Sequence, residues 1–336
     1  MLLTYRFIMK TIKIIPLFSL LFTLFFSFTL SVQALVVNQW KNKNIEGRWE
    51  SQSNWENGTV PISSECVNFR IPHALVLLDE TVKLDQSIQI YSSTLSISGD
   101  GSIVFINPVD HRRSINIPAS SEGRSTLTLS GNISIEGRIL LAGKGFGYDA
   151  GISKGSLILK GASSVKGPLS IGKDGAGIGT VTLMDESSFY ITKLDIQTSE
   201  YQNGKATINV LSGTLTIALN SSKNPYDVFL QDKNRRIILG KSGTLVIYTT
   251  HSKSLKKRYI TNLIRQKRIA SMNGYLGTPI ISDSKIVLRT QHYVAPKKKT
   301  PPPKKKKKKN SSSHLIGYIV FLSAILLVLF RPAKDS

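Results

Sequence analysis

A single cysteine, Cys66, in 336 residues excludes an internal disulfide framework and any zinc site built on cysteine pairs. Acids are scarce as well: 21 Asp+Glu stand against 44 Lys+Arg, giving a formal net charge of +23 with only 19% charged residues. The 41% of hydrophobic residues excludes a wholly disordered chain, and the shortage of long apolar runs excludes a multi-span membrane protein. His73, His111, His251, His292 and His314 are dispersed without metal-ligand spacing, and no Gly-x-Ser-x-Gly elbow occurs. Gly167 to Lys173 keep the G-x-x-x-x-G-K spacing of a phosphate loop. However, Asp174 stands where a hydroxyl should hold magnesium, and no helical period follows, so these glycines are predicted as turns between strands. Neither a metal nor a cofactor is expected.

The positive charge is concentrated. Nine lysines (Lys297, Lys298, Lys299, Lys304, Lys305, Lys306, Lys307, Lys308 and Lys309) surround Thr300-Pro301-Pro302-Pro303. Residues 253–268 add Lys253, Lys256, Lys257, Arg258, Arg265, Lys267 and Arg268 with no acid among them. Charge distributed in this way describes a tail and a patch rather than a nucleic-acid-binding fold, so no nucleic-acid partner is expected. Prolines and mutual repulsion predict an extended stalk over 297–314. Its lysines suit anionic lipid headgroups or acidic cell-surface polysaccharides, at about 1 kcal/mol per lysine beside a charged membrane.

Two apolar runs flank the body. Arg6, Lys10 and Lys13 precede an uncharged run over 14–30, and Val32-Gln33-Ala34 fits a small-x-small site, predicting a signal peptide over 1–34 cleaved after Ala34. The 16 residues 315–330 are apolar and lead to Arg331. As a helix they reach roughly 24 Å, against a hydrocarbon core of about 30 Å that thins to match. They predict a transmembrane anchor, with 331–336 as a cytoplasmic tail. The lysine-rich stalk then lies on the exported side, against the positive-inside tendency, because the leading segment sets the orientation.

Between these runs, alternating apolar segments follow one another, separated by Gly, Ser, Asn or Asp: Thr94-Leu95-Ser96-Ile97, Thr126-Leu127-Thr128-Leu129, Ser156-Leu157-Ile158-Leu159, Thr180-Val181-Thr182-Leu183 and Thr214-Leu215-Thr216-Ile217 among others. A period of two with one apolar face predicts half-buried strands. A shared template places a glycine two positions before Leu157, Val181, Leu215 and Leu245, which are 24, 34 and 30 positions apart. Unequal periods of this size predict an all-β solenoid over 76–250 whose coils carry unequal loops, although the same alternation permits a β-sandwich pair. Trp40, Trp49 and Trp55 predict an N-terminal cap over 35–75. The apolar series Leu255, Tyr259 and Leu263 predicts an amphipathic helix within a basic C-terminal cap over 251–296.

Trp49-Glu50-Ser51-Gln52-Ser53-Asn54-Trp55-Glu56-Asn57-Gly58-Thr59-Val60-Pro61, followed by Val67-Asn68-Phe69, resembles the opening of exported bacterial β-helix proteins. Glu65 and Cys66 fall where that pattern has an Asp. Residues 156–217 are similar to the repeats of autotransporter-type passengers, which implies a right-handed parallel β-helix on a cell surface. The C-terminal layout of spacer, apolar helix and basic stop is similar to PEP-CTERM sorting tails, without the Pro-Glu-Pro tripeptide.

Candidate sites are few. Gly143 to Gly151 form a glycine-rich loop in which Tyr148 could stack on a sugar and Asp149 bond its hydroxyls. Asp185-Glu186 is the one adjacent acid pair of the middle coils, and neighbours on a strand point to opposite faces, so a catalytic pairing is not expected there. Cys66 has no identifiable base and is predicted to be a small buried residue. Together these features point to a membrane-anchored surface solenoid with a structural, adhesive or glycan-binding role and no enzymatic activity. The alternative is a polysaccharide lyase or hydrolase on the same scaffold, which would need acids or bases converging in one groove.

Overall fold

The computed structural model describes residues 36–43, 45–106, 113–118, 123–142, 153–172, 177–196, 205–218, 235–272 and 274–291. The segments read above as signal peptide, stalk, transmembrane anchor and tail lie outside these residues. Among the described residues, no helix is long and apolar enough to cross a membrane.

The chain winds as a parallel β-solenoid. Strands β1 (Val37–Gln39), β2 (Glu46–Arg48) and β3 (Cys66–Phe69) open it. Successive turns then carry β4 (His73–Leu77), β5 (Thr81–Leu84) and β6 (Ile88–Ile90); β7 (Thr94–Ser98), β8 (Ser102–Phe105) and β9 (Ser114–Ile117); and β10 (Arg124–Leu129), β11 (Ser134–Glu136) and β12 (Arg138–Leu141). Later turns carry β13 (Lys154–Leu159) with β14 (Ser164–Ile171), β15 (Ile178–Leu183) with β16 (Ser188–Ile196), β17 (Lys205–Val210) with β18 (Thr214–Ala218), and β19 (Arg235–Leu239) with β20 (Thr244–Tyr248). Helix α1 (Lys253–Arg265), β21 (Ile269–Ser271), β22 (Ile280–Ile281) and β23 (Lys285–Arg289) close it.

Stacked turns make flanks. The first flank is a nine-stranded sheet in the order β2-β4-β7-β10-β13-β15-β17-β19-β21. A second flank stacks β5, β8 and β11, and a third stacks β1, β3, β6, β9 and β12. These two join at β14, whose first half pairs with β11 and whose second half pairs with β12, with a register break between Gly167 and Leu169. The corner is held open by glycine. A Cβ on Gly167, where φ is +155°, would lie 1.9 Å from the Gly137 carbonyl oxygen, and one on Gly137 would lie 2.3 Å from the Phe105 ring.

Register turns the alternating sequence into continuous apolar columns. Ala74, Leu95, Leu127, Leu157, Val181, Ile208, Ile237 and Ile269 are directly paired from strand to strand along the first flank, and all are buried. Burying one such side chain contributes about 1.5–3 kcal/mol, so a thin core suffices when every turn repeats it. The glycine template is corrected here. Leu157 and Val181 are partners on the first flank, but Leu215 and Leu245 are partners on the second. The true successor of Val181 is Ile208, preceded by Ala206 where the earlier turns have Gly155 and Gly179. The template therefore joined two faces of the winding, because glycine precedes strands on both.

The two ends are built differently. Trp40, Trp49 and Trp55 are fully buried at the N-terminal end, with Trp55 edge-on to Trp40 (centroids 5.0 Å apart, 84°) and to Trp49 (4.9 Å, 71°), and with Phe69 beside all three. The Trp55 Nε1 donates to the Trp49 carbonyl at 2.8 Å, so the buried indole is satisfied. Glu65, at the position where the resemblance placed an Asp, is buried and accepts from the Ile62 amide (3.2 Å) and from Asn38 Nδ2 (3.3 Å), tying the preceding loop to β1. At the C-terminal end α1 buries Lys256, Tyr259, Ile260 and Leu263. Leu255, read as part of the apolar stripe, is instead 44% exposed. Lys256 takes the inward position because its ammonium finds acceptors there, the carbonyls of Ser282 (3.1 Å) and Asp283. The last pairing reverses direction: β23 runs antiparallel to both β20 and β22.

Gly167→Ala is expected to lower unfolding stability by about 2–3 kcal/mol through strain at the corner, and Leu157→Ala by about 2–5 kcal/mol through a cavity. The outward-facing Thr128→Ala should stay within about 0.5 kcal/mol. Urea denaturation midpoints of the three variants check the order.

Candidate functional site

Side chains on one strand alternate inward and outward, so the columns that fill the core leave matching columns on the surface. On the first flank one outward column reads Thr94, Thr126, Ser156, Thr180 and Thr207, and the next reads Ser96, Thr128, Ile158, Thr182 and Asn209. All ten are half-buried, standing side by side. Parallel strands lie about 4.8 Å apart and alternate residues about 6.6 Å apart along a strand, so the columns form a regular grid of hydroxyl side chains, interrupted in the second column by Ile158 and Asn209. Neither column carries a charge over this span. A third outward column, two residues earlier on each strand, forms a basic rim of Arg124, Lys154 and Lys205, with Ile178 between the last two. The second flank carries its own hydroxyl column, Thr81, Ser102, Ser134, Ser164, Ser188, Thr214 and Thr244.

The segments that build these columns are visible in the sequence, but their alignment is not. The Thr-x-Thr and Ser-x-Ile segments named there are these rungs, but the pairing of rungs separated by unequal loops is set by register, which residue spacing does not supply. The Tyr148 and Asp149 pair, the nine stalk lysines Lys297 to Lys309 and the cleavage residue Ala34 all lie outside the described residues. In sequence, the segment carrying Tyr148 and Asp149 falls between β12 and β13.

The other residues singled out from sequence have structural roles. Asp185-Glu186 sits in a turn between β15 and β16 rather than on a strand. Asp185 takes a positive φ of 57°, and its Oδ2 accepts from the Gly161 amide of the previous turn at 3.0 Å. Gly167 and Gly172 occupy positive-φ positions at a corner and a strand end. Among the described residues, no group of three His, Cys, Asp or Glu is arranged to hold a metal. Cys66 is buried, with Sγ 3.4 Å from Ser87 Oγ and 3.6 Å from Asn68 Oδ1. Burial pushes its thiol above the ordinary range of a free cysteine, against weaker opposing effects of the Ser87 hydrogen bond and the Arg70 charge.

No protein-family model, curated protein or solved structure matches this chain.

Cys66 is expected to resist a water-soluble thiol reagent at neutral pH and to react at once in denaturant. Because its pKa is raised on folding, the contribution is intact below the unfolded-state pKa and is lost as pH rises through the folded one. Unfolding stability should therefore fall above about pH 9 in the parent protein. That fall should be absent in Cys66→Ala, as read by denaturation at pH 8 and pH 10.

Proposed function

We propose that this chain is an exported, membrane-anchored surface solenoid, wound right-handed as parallel crossovers are, that binds extended polysaccharide along its first flank in an adhesive role. The observation that supports this most directly is the uncharged, hydroxyl-rich grid over the rungs of β7, β10, β13, β15 and β17, in which the column from Thr94 to Thr207 is all Ser or Thr. Hydroxyl groups on a flat, immobile sheet bond sugar hydroxyls at little entropic cost, because the side chains are already held by their neighbours. Each contact is shallow, and a polymer gains affinity by meeting many rungs at once. The rim of Arg124, Lys154 and Lys205 adds complementarity to carboxylated or sulfated sugars and favours acidic polymers over neutral ones. By residue type, Tyr148 and Asp149 would supply a stacking ring and an acceptor for sugar hydroxyls, and the stalk lysines would reinforce attraction to acidic polymers or anionic lipids. The leader over 1–34 and the apolar segment over 315–330 supply export and anchoring.

Two measurements test the proposal. In co-sedimentation with insoluble polysaccharides, the protein should bind an acidic polymer such as calcium alginate more tightly than cellulose. Thr128→Glu with Thr182→Glu should weaken that binding at least tenfold with the fold intact by circular dichroism; equal binding by parent and variant overturns the assignment of the flank. Protease added to intact cells should digest residues 36–291. Full protection, persisting after the outer layers of the cell are stripped, overturns the exported placement.

A further inference from the structure

The C-terminal cap presents a second charged surface, remote in sequence from the hydroxyl grid. Helix α1 packs Tyr259, Ile260 and Leu263 into the core and anchors itself through Lys256. Positions four apart on a helix share a face, so Lys253, Lys257, Thr261 and Arg265 line the opposite side, with Arg258 beside them, and all five are exposed. Lys253 pairs with Asp283 at 3.1 Å, which offsets the unfavourable placement of a cation at a helix N-terminus. Among the described residues, no carboxylate forms an ion pair with Lys257, Arg258 or Arg265. Apolar side chains are exposed in the same cap: Leu255 at 44% on α1 and Met272 at 64% just after β21. Basic groups interspersed with exposed apolar ones are the composition that suits a headgroup region, where ammonium and guanidinium groups meet phosphates and apolar side chains enter the boundary layer.

From this arrangement we infer that the α1 face docks on the anionic lipid surface of the membrane in which the chain is anchored. The inference rests on the anchored reading above, and two features favour lipid over another polyanion. The described body ends at Gln291, six positions before Lys297, and the chain continues through the nine lysines to the apolar run at 315–330. The cap is thus the part of the folded body joined to the membrane segment by the shortest length of chain. Apolar side chains are also exposed in the cap, Leu255 on the side of α1 next to Arg258 and Met272 just after β21, whereas the outward columns of the first flank over β7 to β17 are polar apart from Ile158 and Ile178. Basic groups held close to an anionic bilayer act together and are screened by salt.

The burial of Cys66 gives a clean probe, because a cysteine introduced at Thr261 is the accessible thiol in the folded protein. Full-length Thr261→Cys, labelled with a fluorophore, is mixed with vesicles of phosphatidylcholine alone or with added phosphatidylglycerol, both carrying headgroup quenchers. The expected result is strong quenching on the anionic vesicles, at least fivefold less on the neutral ones, and recovery in high salt. A label at Thr128→Cys on the first flank should stay bright. Replacing Lys257, Arg258 and Arg265 by Gln should abolish Thr261 quenching while leaving flotation with the vesicles intact. Flotation without quenching at Thr261 overturns the docking inference and leaves the anchor standing. Failure to float with neutral vesicles overturns the anchor, whereas quenching on anionic ones would still support the cap surface. Quenching relieved by soluble alginate but not by salt would assign the face to acidic glycan instead and overturn the lipid assignment.

Discussion

Everything in this molecule depends on in-register stacking of one turn upon the next. A single turn of β13 and β14 has too little apolar surface to hold itself together; it is stable because Leu157 lies between Leu127 and Val181, and Leu159 between Leu129 and Leu183. The parallel ladder fixes that alignment, and alternation along each strand does the rest, sending one set of side chains into the core and the other outward. Core and surface are therefore the same register seen from opposite sides. A slip of one residue would bury the hydroxyl columns and expose the apolar ones, so selection for a stable interior also maintains a regular exterior.

This coupling explains what could be read from the amino-acid string. Strands were legible because a period of two is local, as in Thr180-Val181-Thr182-Leu183. The winding was legible because such segments recurred at unequal intervals of the size of a solenoid coil, although the alternation alone also permitted a β-sandwich pair. The tryptophans were legible as a cluster, and the structure buries all three. The partner of each rung was not legible. Val181 looked equivalent to Leu215 because both follow a glycine, yet they lie on different flanks, and Ile208 is the residue that stacks on Val181. Loop length erases the phase between turns, and only the folded ladder restores it.

The cap helix shows a second limit of the same kind. The apolar series Leu255, Tyr259 and Leu263 gave the helix, but the buried stripe is turned by one residue to include Lys256. A lysine faces inward where backbone carbonyls wait for it, and those belong to a turn 26 and 27 residues further along. Long-range acceptors leave no trace in helical periodicity. The hydroxyl grid is hidden in the sequence for a related reason: individual threonines on strands are ordinary, and their alignment across rungs is what makes a surface.

The reversed final strand has a consequence for assembly. Parallel ladders are open-ended in principle, since the last rung offers amide and carbonyl groups in the same orientation that the first rung accepts. Here β23 runs backwards against β20, and the two-residue β22 lies beyond it. A second copy arriving with its opening rung would meet a strand of the wrong polarity on one flank and α1 alongside it. On this flank the parallel repeat therefore ends at β20, and the strands beyond it do not offer the polarity on which another rung of the same kind would stack.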